Sequence, residues 1–285
     1  MTANIFFNGY SGNRHHPFAL ETLSRRRRNS SPLSSECVWI NGELVPFEDA
    51  SLHVLNPGLH YGSGVFEEIR CYLTERGPAI FRLEAHLQRF LQAVRVLGVI
   101  DLRYGLIDLR RAAHVTVQVN NLAACTVRPI LYFDGEQGPE SDNVQPTVAV
   151  IADEWDVSLN SEEYVTSSAG KNLFLVRNGV VYTAPQAGEL NDVARNTTIT
   201  LLQDLGYSVV EKRLSRDQLH MVDEAFVCGT SAEIEPMREI DSRLLNGGEP
   251  GPITFAVQQL YSDTVRGQGR RSRGWLEYVM MEPLF

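Results

Sequence analysis

The chain has 285 residues, a net charge of −9 and a hydrophobic content of 43%, values typical of a globular protein with a buried core. The acidic balance argues against a nucleic-acid-binding surface, and no apolar run approaches the length of a membrane span. Four scattered cysteines without a CxxC pair predict buried free thiols in a reducing compartment and argue against a metal site.

The first 36 residues differ in composition from the rest of the chain. They hold five arginines, four of them in the run Arg25–Arg28, against two glutamates, which gives this segment a charge of +3. Organellar presequences are also rich in Arg and Ser, but the Asn, Gly and Pro residues here interrupt any amphipathic helix. We interpret residues 1–36 as a disordered or mis-assigned extension and expect a cytoplasmic protein, with a mitochondrial one as the alternative.

The first ordered half is predicted to mix strands and helices from Cys37 onward. Asn41-Gly42 stands between apolar runs and predicts a two-residue hairpin turn. Apolar residues at helical spacing over 87–97 predict a helix that ends at Gly98. Strands are predicted at 126–134 and 146–155. Together these elements indicate a small α+β domain over residues 37–157.

The second half of the sequence also contains patterns typical of hairpins, helices and strands. It opens with a hairpin that turns at Asn178-Gly179, followed by a helix over 194–205 that ends at Gly206. A short helix at 216–221, a strand at 224–230 and a closing helix at 251–267 complete the pattern. We therefore expect a second α+β domain over residues 158–285.

Several long motifs occur in a fixed order between Trp39 and Gly267, among them "LHYGSGVFEEIRCY", "GPAIFRLEAHLQRF", "NLFLVRNGVVYT" and "LSRDQLHMVDEAFVCGTSAEIEPMREID". They resemble the branched-chain amino-acid aminotransferases, the class IV enzymes of fold type IV that use pyridoxal phosphate. An aminodeoxychorismate lyase is a more distant alternative. The resemblance implies a small α+β domain packed on a larger one, a homodimer, and amino-group transfer between a branched-chain amino acid and a 2-oxo acid.

The resemblance also implies site residues. The cofactor-binding positions are Arg89, Thr230, Ser231 and Ser167, and the substrate-pocket positions are Tyr61, Phe66, Arg70, Arg128 and Trp155. Phe66 and Trp155 could equally be core residues. A guanidinium in an apolar strand, as at Arg70, needs compensation by either an anionic ligand or an internal partner such as Glu67 or Glu68.

One segment expected from the resemblance is missing. After "IADEWDVSLNSEE" the family continues through a strand and a helix that carries the catalytic lysine, whereas this sequence passes directly to "YVTSSAGKNLF". The second domain is therefore a truncated version of the family's large domain. The family's glutamate for the pyridinium nitrogen falls on Ser167, a neutral hydroxyl.

Two further departures concern charge. The family's "GIT" before the phosphate-binding helix is Asp192, Val193 and Ala194 here, and a pocket glycine is Glu68. Asp192 is expected to cap that helix and to repel a phosphate at the same place. Pyridoxal phosphate is thus the cofactor that the resemblance implies, but with a weakened site.

Three hypotheses follow for activity. The chain is a non-catalytic homologue with little or no transaminase activity, a divergent pyridoxal-phosphate enzyme, or a truncated isoform or gene model of an active one. In the second, Lys171 supplies the amine, because strand alternation puts it on the face of Ser167; the alternative places Lys171 in solvent. Loss of a strand and a helix also predicts a marginally stable or self-associating chain.

Overall fold

The structure is a computed structural model that describes residues 35–134, 145–154, 171–186 and 190–281, which belong to one compact unit. The helices are α1 (Pro57–Tyr61), α2 (Leu83–Val96), α3 (Leu106–Val119), α4 (Val193–Asp204), α5 (Arg216–Leu219), α6 (Pro252–Val265) and α7 (Ser272–Trp275). The strands are β1 (Cys37–Ile40), β2 (Glu43–Pro46), β3 (Gly64–Phe66), β4 (Ile69–Thr74), β5 (Gly77–Phe81), β6 (Cys125–Asp134), β7 (Gln145–Glu154), β8 (Asn172–Arg177), β9 (Val180–Thr183), β10 (Val209–Glu211), β11 (Glu224–Gly229), β12 (Glu233–Pro236), β13 (Glu239–Ile240), β14 (Arg243–Leu244) and β15 (Leu276–Tyr278).

The first sheet has the strand order β15-β5-β4-β6-β7-β1-β2, with β3 paired to β6. Its β1–β2 hairpin turns at Asn41 and Gly42, both at positive φ, as predicted. Helices α2 and α3 cover one face of the sheet. Leu87 and Phe90 of α2 and Leu109 of α3 lie completely buried in the core on this face. Alternate residues of β4 and β6, including Ile69 and Val127, supply the sheet side of this core.

The second sheet has the order β10-β9-β8-β11-β12, in which only β9 and β10 run parallel among the described strands. The β8–β9 hairpin turns at Asn178-Gly179 as predicted, and α4 is followed by Gly206 at φ +85°. Helices α4 and α6 pack on the face of the sheet that carries Phe174 and Phe226, whose rings stack with centroids 5.0 Å apart. The predicted α+β class is confirmed.

The two sheets share a core. Tyr72 and Phe81 of the first sheet lie in the same buried cluster as Phe226 and Tyr261 of the second half. The Tyr72 hydroxyl donates a 2.8 Å hydrogen bond to Glu233, and burial raises the pKa of Tyr72 well above its usual range. The chain then returns to the first sheet, where β15 pairs antiparallel with β5.

Helix α6 begins on a carboxylate from the second sheet. Glu224 is buried and accepts hydrogen bonds from the backbone N–H groups of Ile253 and Thr254 and from the Thr254 hydroxyl. These amides are among the donors that a helix leaves unsatisfied at its start. A Cβ at Gly251 would lie 2.0 Å from Glu224, so only glycine leaves room for this cap.

Some elements escaped the sequence analysis. Helix α3 was not predicted, although Leu109, Ala112, Ala113, Thr116 and Val117 are buried at helical spacing. The pairing of β15 with the first sheet was not predicted either. The predicted domain boundary at 157/158 lies in 155–170, outside the described residues.

The sequence predicted that the four cysteines are free thiols in a reducing compartment. All four cysteines are free thiols, and Cys71 and Cys125 are directly paired across β4 and β6. A hydrogen bond to Cys71, together with burial, raises the pKa of Cys125.

Among the described residues, no helix combines the length and the apolar character needed to cross a bilayer, and no group of three potential ligands could hold a metal ion.

An ion pair ties β15 to α3. Glu277 accepts a 2.7 Å hydrogen bond from Arg110 and lies 3.5 Å from His114. Burial alone would raise the pKa of Glu277, but the hydrogen bonds from His114 and Arg110 lower it below its usual value of 4.5. A carboxylate with a lowered pKa stabilises the fold above its unfolded-state pKa, and this contribution is lost as the pH falls.

We therefore expect the wild-type free energy of unfolding to fall more steeply between about pH 5 and pH 3 than that of Glu277→Gln. Urea unfolding at a series of pH values measures this difference. Glu249→Gln, at an exposed position, is the matched control and should follow the wild type. Parallel curves for Glu277→Gln and the wild type would contradict the assignment.

Candidate functional site

A polar cleft lies between the first turns of α2 and the start of α4. Its cavity volume is about 200 Å³. The lining residues are Arg82, Ala85, Gln88, Arg89, Gln92, Asn191, Asp192, Val193 and Asn196. Arg82 holds the two helices together, because its guanidinium donates to Asn196 at 3.0 Å and to Thr197 at 2.8 Å. The cleft therefore brings Arg89 and Asp192, two residues singled out in the sequence, to one place.

The start of α4 is capped by Asp192. One carboxylate oxygen accepts the backbone N–H of Arg195 at 2.9 Å, and the other accepts the side-chain amide of Asn172 at 3.0 Å. The expected N-cap is confirmed. Asp192 thus places a negative charge at the amides of the first turn, where a bound anion would otherwise lie.

The charge of Arg89 is compensated inside the protein. Its guanidinium forms a short ion pair with Glu67, which is buried and also contacts Nδ1 of His86 at 2.9 Å. Nε of Arg89 is buried and has no hydrogen-bond partner within the part of the chain that the structure describes. Arg89 is therefore engaged with a carboxylate while one donor is left over.

Two further arginines, Arg70 and Arg128, lie on the face of the first sheet opposite the α2–α3 core. Arg70 is buried, donates to the Thr126 hydroxyl at 3.1 Å and lies 4.0 Å from Glu68. Of the two internal partners considered from the sequence, Glu68 is thus the one that approaches Arg70. Arg128 is two residues beyond Thr126 on the same face of β6 and is half-buried. It makes no hydrogen bond or ion pair with the described residues.

The aromatic pocket candidates are exposed. Tyr61, at the end of α1, is 70% exposed, and Phe66, at the end of β3, is 63% exposed. Neither is a core residue of this chain, which removes the core interpretation for Phe66. Trp155 and Ser167 lie outside the described residues.

Thr230 and Ser231 lie in the turn between β11 and β12. Two residues earlier, the Cys228 thiol is close to α4: burial raises its pKa to about 12, with a hydrogen bond to Thr198 and the charge of Asp192 as further influences. Strand β11, which ends at Gly229 directly before this turn, therefore packs against the helix that borders the cleft.

Lys171 lies on the other face of the second sheet. Its ammonium is 2.6 Å from Glu235, and its side chain is 31% exposed. Along β8, Asn172 points toward Asp192 and α4, whereas Leu173 packs in a separate cluster on the opposite face. Lys171 shares the face of Leu173 by alternation, so the geometry favours the solvent-exposed interpretation over a lysine in the cleft.

Three residues that contact members of the cleft were not assigned these contacts from the sequence. Glu67 compensates the charge of Arg89 and contacts His86, and Asn172 donates to Asp192. His86 and Arg89 are three residues apart on α2, a spacing that puts both on one face and could have suggested a shared carboxylate. Glu67 is far from this helix in sequence, and no local pattern indicated the pairing.

Comparisons with known proteins agree with this fold. The family model for class IV amino-transferases matches residues 155–240. A branched-chain-amino-acid aminotransferase from Pseudomonas aeruginosa is 31% identical over 298 residues, covering 85% of this chain and 97% of the relative. The crystal structure of the Escherichia coli branched-chain amino acid aminotransferase is similar with a TM-score of 0.78 and 28% identity, covering 86% of this chain and all of the other. The T.th. branched-chain amino acid aminotransferase with pyridoxamine 5'-phosphate is similar with a TM-score of 0.76 and 31% identity, covering 87% and 100%.

The cap on α4 gives a direct test of the cleft geometry. Asp192→Ala removes the acceptor for the Arg195 amide, so we expect the free energy of unfolding to fall by about 1 kcal/mol. Asp192→Asn keeps a side-chain oxygen at the cap and should fall by less. Urea unfolding measures both variants, and an Asp192→Ala protein as stable as the wild type would contradict the cap.

Proposed function

The chain belongs to the branched-chain-amino-acid aminotransferase family, and from this premise we propose that it keeps the family fold but has little or no transaminase activity as it stands. Its relatives are named for amino-group transfer, and the T.th. enzyme has been crystallised with pyridoxamine 5'-phosphate. The question is whether the residues of this chain can still bind the phosphate and the aldehyde of that cofactor.

The observation that carries the proposal is the carboxylate of Asp192 on the first turn of α4. By the family resemblance, this is the helix start that holds the cofactor's phosphate. A phosphate binds at a helix N-terminus because free N–H groups and the positive end of the helix dipole face it. Here one of those amides already has an anionic partner, and the same charge repels a second anion.

The opposite wall of the cleft supports the same conclusion. Arg89, the phosphate-binding arginine by resemblance, is paired with buried Glu67. Its unpartnered Nε would suit an anionic oxygen, but a phosphate bound there would lie beside the Glu67 carboxylate and share the cleft with Asp192. The described residues therefore do not fit the phosphate of the cofactor.

The lysines of the chain point the same way. Lys171 and Lys212 are its only two lysines. Lys171 pairs with Glu235, and the Lys212 ammonium lies 4.0 Å from the centre of the Tyr182 ring. In the described structure, therefore, no lysine amine faces the cleft.

Alignment lengths support a lost segment. The match to the Pseudomonas aeruginosa relative runs over 298 residues, although 85% of this 285-residue chain is only about 242. About 56 aligned positions of the relative thus have no counterpart here. We propose that these positions include the segment that carries the family's catalytic lysine.

Two alternatives remain as hypotheses. A divergent enzyme would use Lys171, whose contact with Glu235 disfavours that role. A truncated isoform or faulty gene model would leave the rest of the site intact. Asp192 and Glu68 lie outside the gap, and the hydrogen bond from Asn172 to Asp192 gives the changed residue a partner within the fold. These residues favour a chain that diverged as a whole.

We also propose a homodimer, as the family resemblance implies. A stretch of large apolar side chains around α1 is exposed in the single chain; its members are Leu52, Val54, Leu55, Leu59, Tyr61 and Phe66. Exposed apolar patches of this kind mark interaction surfaces. A second copy of the chain is the partner proposed for this surface.

A reducing compartment is the proposed location. Cys71 and Cys125 are adjacent cross-strand partners that remain thiols. Free thiols at such positions are typical of cytosolic proteins. The cytoplasm is therefore proposed, with the mitochondrial matrix as the alternative.

Titration with pyridoxal phosphate tests the loss of activity. We expect the wild type to give no visible absorbance of a lysine-bound cofactor, and borohydride reduction followed by peptide mapping should find no pyridoxyl-modified lysine. Lys171→Ala is the matched control and should behave like the wild type.

A stoichiometric label on Lys171 that disappears in Lys171→Ala would contradict the proposal and support the divergent enzyme. Turnover of leucine with 2-oxoglutarate by the purified wild type, lost in Lys171→Ala, would do the same.

Light scattering after size exclusion tests the dimer. We expect a mass near twice the 31.9 kDa of the chain. Leu59→Glu places a charge in the exposed apolar stretch and should give monomers. Ile100→Glu, at a position 91% exposed on another surface, should leave the dimer intact. A wild type that elutes as a monomer at micromolar concentration would contradict the proposal.

A further inference from the structure

A second cavity lies between the β1–β2 hairpin and helix α3. Its volume is about 370 Å³, within the usual range of about 300–1,000 Å³ for small-molecule sites. The lining residues are Trp39, Gly42, Leu44, Tyr104, Asp108, Arg111, Ala112 and Val115. The cavity shares none of these residues with the cleft at Arg89 and Asp192.

The wall beside the hairpin is held in place by short contacts. The Tyr104 hydroxyl donates a short hydrogen bond to the carbonyl of Asn41, and its ring meets Trp39 edge-on with centroids 5.1 Å apart. A Cβ at Gly42 would lie 3.4 Å from the Tyr104 oxygen, and Gly42 has a φ of +100°. The aromatic wall therefore does not depend on a ligand for its shape.

The floor of this cavity is apolar. Trp39 and Ala112 are buried, and Val115 is half-buried beside them. Leu44 borders the opening from β2. A ligand that enters the cavity would gain by burying an apolar group against these side chains.

The rim carries one acid and one base. Asp108 and Arg111 are one turn apart on α3, on the same side of the helix. One oxygen of Asp108 accepts the Gly105 amide at 3.0 Å, which leaves the other available. Arg111 is exposed and makes no hydrogen bond or ion pair with any residue in the described ranges. The guanidinium of Arg103 lies 5.5 Å from the centre of the Tyr104 ring.

We propose that this cavity binds an apolar α-amino acid of about the size of leucine. The ligand carboxylate pairs with Arg111, its ammonium with Asp108, and its side chain lies on Trp39, Ala112 and Val115. An amino-acid zwitterion carries its ammonium, its carboxylate and its apolar side chain as three substituents of one carbon atom. That arrangement matches an acid–base rim one helical turn wide above an apolar floor.

Isothermal titration with L-leucine tests the site on the full chain. The wild type should bind at millimolar concentration. Arg111→Gln and Asp108→Asn should each weaken binding by about tenfold or more, since each removes one charge-assisted contact. Asp108→Asn keeps an oxygen for the Gly105 amide, so helix α3 should still start normally. Arg95→Gln, an exposed arginine on α2, is the matched control and should bind like the wild type.

Two analogues assign each charge to its partner. 4-Methylvaleric acid lacks the ammonium, so its weaker binding should be insensitive to Asp108→Asn. Isoamylamine lacks the carboxylate and should be insensitive to Arg111→Gln.

The proposal is overturned if the wild type gives no saturable heat with leucine up to its solubility. It is equally overturned if Arg111→Gln binds leucine as the wild type does.

Discussion

Buried charge must find a counter-charge or a set of hydrogen bonds, and this requirement organises the region between the two sheets. Glu224 lies on the amides that open α6, and Asp192 on those that open α4. Glu67 lies between His86 and Arg89. Because each of these groups is satisfied by the chain itself, the helices can pack against the sheets without a ligand.

The same internal pairing of charged groups distinguishes this cleft from the phosphate-binding site that the family resemblance implies. A site that binds a phosphate needs donors that are left over after folding. In this cleft one amide of the first turn of α4 and one nitrogen of the Arg89 guanidinium are already paired with carboxylates that belong to the fold. The proposed weakness of cofactor binding therefore rests on the same cap and ion pair that hold these helices in place.

Local chemistry made part of the structure predictable. Asn41-Gly42 and Asn178-Gly179 specify hairpin turns by their backbone preferences, and Asp192 specifies a helix start by its side chain. Contacts between segments that are far apart in the sequence could not be predicted from local patterns. The contact of Glu67 with Arg89 and the face on which Lys171 lies depend on how strands and helices meet in space. The family resemblance implied roles for Arg89 and Thr230, but the pairing of Arg89 with Glu67 is visible only in the structure.

The last strand carries a consequence for biosynthesis. β15 forms the edge of the first sheet beside β5, and Val279 lies in the core beneath α2 and α3. During vectorial synthesis on a ribosome, the N-terminal sheet is made early but waits for nearly the whole chain before its edge is closed. Such long sequence separation slows folding and leaves an open strand edge on the nascent chain. The first sheet is therefore complete only after residues 276–278 have left the exit tunnel.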